Sequence, residues 1–302
     1  MQKEYKEIAR QVRRDVLSLI HKGHTSHAAS CLSLADIVVV LYENLSEDDI
    51  VIWSKGWAAA LYYTIAIRRG ILDKEEVFNT FPNHPYLGLL EPHVPGVVTA
   101  GGSVGHGLNV ACGMALARKL EGKPGTIYVI MSDGELNEGS TWEATMFAAH
   151  HKLNNLVAIV DKNGWQAMGR TNEVLKLDGK GGHDSLREKW LSFGWNSVVI
   201  DGHDYSAIEK ALNQKSEFDK FWPNRPFIIV ADTVKGEGVS FMRDHLTFHY
   251  KHIEDEELER ALEELKDVTS ELEEINPKTA NIGDFLGTGN FGGTDSDIST
   301  PF

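Results

Sequence analysis

The sequence predicts an α/β protein with an open, mostly parallel sheet and helices on both faces. Two observations carry that expectation. Four short apolar runs, 126–131 (TIYVIM), 156–160 (LVAIV), 197–200 (SVVI) and 227–231 (FIIVA), have the pattern of strands buried on both faces. The first two lie about thirty residues apart around the helical stretch Trp142 to His150. Such a strand–helix–strand unit needs a parallel pair joined by a right-handed crossover. With 302 residues, 42% apolar and 25% charged, the chain can bury a large core, which excludes disordered and fibrous classes.

The remaining elements follow in chain order. Tyr5, Ile8, Val12, Val16 and Ile20 repeat at helical spacing, and Leu34 to Leu45 is a second amphipathic run beyond the segment Gly23 to Ser30. Residues 81–107 are dense in Pro, Gly and His and read as loop. Leu108 to Leu120 reads as a helix of small residues suited to close packing. From Glu254 to Glu274, eleven acidic residues stand against Arg260 and Lys266, while Leu258, Leu262, Leu265, Val268 and Leu272 hold one face. That pattern is an acidic amphipathic helix, expected to lie on the domain surface. Residues 279–302 carry five glycines and few charges and read as a mobile tail. The expected division is a ligand-binding domain over 1–252, the acidic helix over 253–276 and the tail over 277–302.

Thirty Lys and Arg against 44 Asp and Glu give a net charge of −14, which argues against nucleic acid or an anionic membrane as partner. No apolar run approaches the roughly 20 residues needed to span a bilayer. The first twenty residues are charged and helical rather than a signal peptide. Cys31 and Cys112 both stand in apolar context and make no disulfide framework, so a reducing cytoplasm is the expected setting.

In open α/β sheets, ligands bind outside the carboxyl ends of the strands. Two of the expected strands end in Ser132-Asp133-Gly134 and Asp161-Lys162-Asn163-Gly164. A carboxylate and an amide oxygen, with backbone carbonyls, form a hard-oxygen set suited to Mg²⁺ or Ca²⁺ and unsuited to zinc. So few protein ligands leave the shell to be completed by water and phosphate oxygens, which is how Mg²⁺ holds a diphosphate. Gly134 permits close backbone approach to an anion near a helix start. Asp133 and Asn163 taken singly also suit helix and turn capping. Their pairing across one crossover unit favours the metal.

These residues, with Glu138-Gly139, Trp142-Glu143-Ala144 and the Asp161-Lys162-Asn163 run, resemble a thiamine diphosphate motif. The runs Leu153 to Asp161, Gly164-Trp165-Gln166, Gly102 to Leu108, Asp201 to Tyr205 and Val234 to Met242 are similar to the transketolase family. The resemblance covers residues 5 to 265. It implies thiamine diphosphate and Mg²⁺ as cofactors, with Ca²⁺ able to substitute. It implies metal ligation by the side chains of Asp133 and Asn163 and the carbonyl of Trp165. It places Gly134 at the diphosphate, Gly102, Ser103 and Val104 beside the aminopyrimidine, Lys235 among the cofactor-binding residues and Glu138 at a subunit contact. His27 matches a substrate-channel histidine, and His249 lies near diphosphate and substrate. His106 stands at a Gln-or-His position, and a further channel histidine is either His84 or His93.

Three positions depart from the family pattern. Ser132 replaces a glycine, Lys162 an asparagine, and Trp57 a histidine that contacts cofactor and substrate. An indole N–H only donates, so Trp57 is expected to narrow the channel without accepting a proton.

In this family the carboxylate that activates the cofactor belongs to a separate pyrimidine-binding domain, and no second α/β pattern is visible in the sequence. The resemblance therefore implies the N-terminal component of a split transketolase-like enzyme. It is expected to be active only with a second chain that carries the pyrimidine-binding and C-terminal domains, as an α₂β₂ assembly acting on a small sugar-like or 2-oxo substrate. The α component of a 2-oxoacid dehydrogenase and a non-catalytic cofactor domain are the alternatives.

Overall fold

A computed structural model describes residues 2–177 and 183–266. Five strands form its main sheet: β1 (Ile50–Trp53), β2 (Ile127–Ser132), β3 (Leu156–Lys162) and, beyond a short hairpin of β4 (Trp165–Gln166) and β5 (Gly169–Arg170), β6 (Asn196–Asp201) and β7 (Phe227–Asp232). Their order across the sheet is β1-β2-β3-β7-β6, and every pairing in it is parallel. The four expected strands are present. The edge strand β1 escaped the sequence reading because four residues, entered through Asp48 and Asp49, are too short to show a period.

Alternation along β3 divides the core. Val157 and Ile159 pack on one face among the helices Gln2–Lys22, Ala35–Glu43, Ala59–Arg68 and Tyr205–Phe221. Leu156, Ala158 and Val160 pack on the other, against Gly107–Glu121, Gly139–His150 and His183–Ser192. Helices therefore cover both faces, as parallel strands require. Ala59–Arg68 buries Ala59 to Ala66 without a break. A helix that is apolar on all sides has no amphipathic stripe to read, which explains why the sequence did not reveal it.

Among the described residues the acidic helix runs Asp255–Glu264. Its last turn is closed by the first helix, since Arg14 Nη1 donates to the Leu262 carbonyl and Arg10 Nη1 to that of Leu265, each at 2.6 Å. Ala261 and Leu265 join the core, so this helix lies on the domain and belongs to the compact unit ending at Leu265. The expected continuation to Glu274 falls partly, and the tail wholly, outside the described residues. No helix among the described residues is long and apolar enough to cross a membrane.

The loop over 81–106 is stitched to the end of β1 at one point. Leu90 N–H donates to the Gly56 carbonyl at 3.1 Å and Gly101 N–H to the Leu90 carbonyl at 2.9 Å. The backbones of Gly56 and Gly101 touch, and a Cβ on Gly56 would stand 2.3 Å from Gly101 Cα. Gly56→Ala must push that loop outward and should lower unfolding free energy by about 1–3 kcal/mol in urea titration. Gly113→Ala, on an open helical surface with nothing within 4 Å, should be neutral or stabilising.

Candidate active site

Parallel strands deliver their carboxyl ends to one edge of the sheet, and there a cleft of about 470 Å³ opens. The end of β1 contributes Lys55 and Trp57, that of β2 Ser132 and Gly134, that of β3 Asn163, and the segment after β7 Lys235. His27 and His249 close it from outside the sheet, while Gly102 and Val104 come from the long loop.

Asp133 is 1% exposed. Its Oδ2 accepts from Gly164 N–H at 2.7 Å and its Oδ1 from Gly134 N–H at 2.9 Å, which leaves lone pairs on both oxygens. Burial, and then the neighbouring carboxylate of Asp161, push its carboxyl up to about 7. The charge of Lys55 and the two backbone N–H groups act in the opposite direction without cancelling that rise. Asn163, also buried, turns Oδ1 to the Trp165 N–H at 3.0 Å and Nδ2 to Asp161 at 3.3 Å. Their strands are neighbours, with Ser132 opposite Asp161. No cluster of three His, Cys, Asp or Glu suited to a metal occurs among the described residues. The donor set here is instead two side-chain oxygens with backbone carbonyls, which fits Mg²⁺ when a ligand's oxygens complete the shell.

Three residues that sequence reasoning missed support a polar ligand. Glu135 Oε2, Asn137 Oδ1 and Gln166 Nε2 are buried without a hydrogen-bond partner, and all three residues line the cleft. Buried polar atoms of this kind need a partner. Gly134 is required by packing, because a Cβ there would lie 3.0 Å from that of Gln166.

At the other end, His27 and His249 meet edge to face with ring centroids 5.2 Å apart. His27 holds a left-handed φ of 72° and donates its backbone N–H to the His249 carbonyl at 3.2 Å. Burial, then Lys235 and Lys55, push its imidazole down to about 4. Burial, then Lys235, push His249 down to about 3. Lys235, 1% exposed, reaches Ser30 Oγ at 2.9 Å and His249 Nδ1 at 3.0 Å, and burial followed by Lys55 lowers it to about 7. Nothing in the spacing of the sequence would have singled out Lys55, which is buried against Asp161 and the Ser30 carbonyl.

Trp57 lines the cleft and, with His27, Leu89 and Tyr250, also a second cavity of about 450 Å³ that includes His24 and His252. It therefore stands between the two cavities. Glu138 lines the cleft beside Gly105. Ser103 is exposed and is not among the lining residues. His106 is an exposed helix cap that the fold does not bring to the cleft. His84 and His93 stack on each other at 4.6 Å, and neither lines either cavity.

The depressed imidazoles give stability a pH dependence of known sign. Unfolded, His27 titrates near 6.5, and folded near 4. Between those values the unfolded chain binds more protons, so this contribution is whole above about 6.5 and is lost as pH falls toward 4. His27→Asn, which tolerates the left-handed backbone, should flatten unfolding free energy against pH from 7 to 5 by up to about 1.4 kcal/mol per unit. An unchanged slope in urea titrations would show that His27 is already charged at pH 5.

A family model described as transketolase, thiamine diphosphate binding domain, matches residues 4–268. The chain is 34% identical over 282 residues to one subunit of the apulose-4-phosphate transketolase of Actinobacillus succinogenes, covering 87% of this chain and 96% of that one. It is 32% identical over 273 residues to one subunit of the 6-deoxy-6-sulfo-D-fructose transketolase of a Clostridium species, covering 85% and 94%. Among solved structures, transketolase from Campylobacter jejuni superposes with a TM-score of 0.77 at 26% identity, over 88% of this chain and 43% of that one. This chain thus spans less than half of that transketolase. A cleft at the strand ends, a family model that matches nearly the whole described chain and relatives of matching length lead to one assignment: the chain belongs to the thiamine diphosphate-binding N-terminal family of transketolases.

Proposed function

We propose that the protein is the N-terminal component of a two-chain, thiamine diphosphate- and Mg²⁺-dependent transketolase. It transfers a two-carbon ketol unit from a ketose-like donor to an aldehyde acceptor. The observation that carries this reading is Asp133, a buried carboxylate pushed up by burial and Asp161, between Ser132 and Gly134, which line with Asn163 a cleft closed by two neutral histidines. Relatives that match nearly end to end are named as single subunits of transketolases, which supports a division of the enzyme between chains.

In this reading Asp133, Asn163 and the Trp165 carbonyl hold Mg²⁺, and Gly134 gives a diphosphate close approach. Bound thiamine diphosphate supplies the electron sink for the carbonyl carbon. Lys235 and Lys55 lie near enough to depress the imidazoles, and Lys235 would serve as a counter-charge to a bound diphosphate. His27 and His249, uncharged at neutral pH, orient substrate hydroxyls and handle their protons, His249 as a hydrogen-bond donor from Nε2. Trp57 offers one N–H donor and apolar area, so the passage favours acceptors that tolerate a narrow aromatic wall. Residues 1–252 form the cofactor domain. The partner supplies the pyrimidine-binding and C-terminal domains, and the assembly is α₂β₂.

Titration calorimetry with Mg²⁺ and thiamine diphosphate, partner chain present, should show binding that Asp133→Ala weakens by about 100-fold or more. Activity should appear with a ketose phosphate donor and only when both chains are mixed. Turnover by this chain alone would overturn the two-chain reading. Preference for pyruvate would move the enzyme to the 2-oxoacid class, and absence of Mg²⁺-dependent binding would mark a non-catalytic domain.

A further inference from the structure

The segment that carries Lys235 is held by Asp244 N–H, which donates to the Lys235 carbonyl at 2.8 Å, and at three further backbone points. Val234 N–H donates to His203 Nε2 at 2.8 Å, Gly236 N–H to the Ala29 carbonyl at 2.9 Å, and Arg13 Nε to the Glu237 carbonyl at 3.1 Å. Two of these three lead to a polar centre that lines neither the cleft nor the second cavity. At its middle is Asp36, 3% exposed. It accepts from Arg13 at 2.8 and 2.6 Å, from the Tyr205 hydroxyl at 2.7 Å and from His203 Nδ1 at 2.8 Å. Against the upward push of burial, Arg13 and the hydrogen bonds hold this carboxyl well below its usual range.

The hydrogen-bond roles are settled by elimination. A backbone N–H can only donate, so His203 Nε2 is the acceptor and carries no proton. The ring proton is then on Nδ1, where Asp36 accepts it. One residue beyond Val234, the Lys235 amine lies 3.0 Å from Nδ1 of His249. An amine hydrogen given to that nitrogen leaves the ring proton of His249 on Nε2, and His249 lines the cleft. A lysine side chain is long and flexible, so where its amine sits depends on where its backbone is clamped.

We propose that His203 is a positioning residue: by accepting the Val234 N–H it sets Lys235 on Nδ1 of His249 and so selects the Nε2-protonated form of that cleft histidine. Its consequence for ligand binding rests on the diphosphate reading of the cleft. The tautomer itself needs no ligand.

The test separates the two ends of the imidazole. His203→Gln places an acceptor where Nε2 stood, whereas His203→Asn places a donor where Nδ1 stood and leaves Val234 N–H alone. In the full-length chain, labelled with ¹⁵N in histidine, wild type should show His249 Nδ1 as an unprotonated acceptor and Nε2 as protonated. His203→Asn should give mixed His249 tautomers and about tenfold weaker binding of Mg²⁺ with inorganic pyrophosphate, while His203→Gln keeps both near wild type. The proposal is overturned if His203→Asn keeps the wild-type His249 signature, or if both variants lose it equally. Should wild type not bind Mg²⁺ and pyrophosphate, the reading of the cleft fails, and the tautomer signature still decides the role of His203. Should His203→Asn not fold, two further measurements decide. A through-hydrogen-bond coupling must link Val234 N and His203 Nε2 in wild type, and Lys235→Met must release the His249 tautomer. Absence of either overturns the proposal.

Discussion

Asp161 is a carboxylate with no access to water at the end of the central strand, and donors from four segments converge on it. Lys55 comes from the end of β1, Ser33 at 2.7 Å from the turn between two helices, Thr233 from the end of β7, and Asn163 at 3.3 Å from its own strand end. Burial alone would push this carboxyl up, and Lys55 with the hydrogen bonds holds it down. A buried charge is stable only when paired and hydrogen-bonded, so the strand ends cannot separate without exposing an unpaired ion. The same negative charge adds to the burial that raises Asp133. The interaction that assembles the site therefore also helps to hold the Asp133 carboxyl high.

That arrangement reconciles an acidic protein with an anionic cofactor. The net charge is −14, and the stretch from Glu254 to Glu274 holds eleven of the acidic residues. The described part of that stretch is a helix on the first helix, and none of its residues lines the cleft. Inside, burial and then the charges of Lys235 and Lys55 keep both histidines neutral. Attraction for a diphosphate thus comes from a few buried groups at short range, where the low dielectric makes them count, rather than from the overall field.

Strands buried on both faces were legible because they are continuous apolar runs bounded by turns, and the residues at their ends could be placed at the ligand edge on topology alone. That is why Asp133 and Asn163 could be proposed from sequence. Ala59–Arg68 and β1 were not legible, the helix for lack of a polar side and the strand for its length. Histidines were the least reliable guide. His27 and His249 do face each other in the cleft, whereas His106, in an equally suggestive glycine-rich motif, caps a helix in solvent. A motif states which residues stand together in the chain and says nothing of which side a ring takes.

By itself the sequence determined the class of sheet, the pairing of Asp133 with Asn163 across one crossover unit and the hard-oxygen chemistry of that pair, because strand periodicity and side-chain type are local properties. Only the tertiary structure decided how the site is charged. Lys55 meets Asp161 across 106 positions of sequence, and Lys235 meets Ser30 across 205. Val234 rests on His203, and His203 in turn on Asp36 across 167. Protonation states in the cleft follow from burial and from neighbours brought in by the crossing of distant segments, and neither exists until the chain has folded.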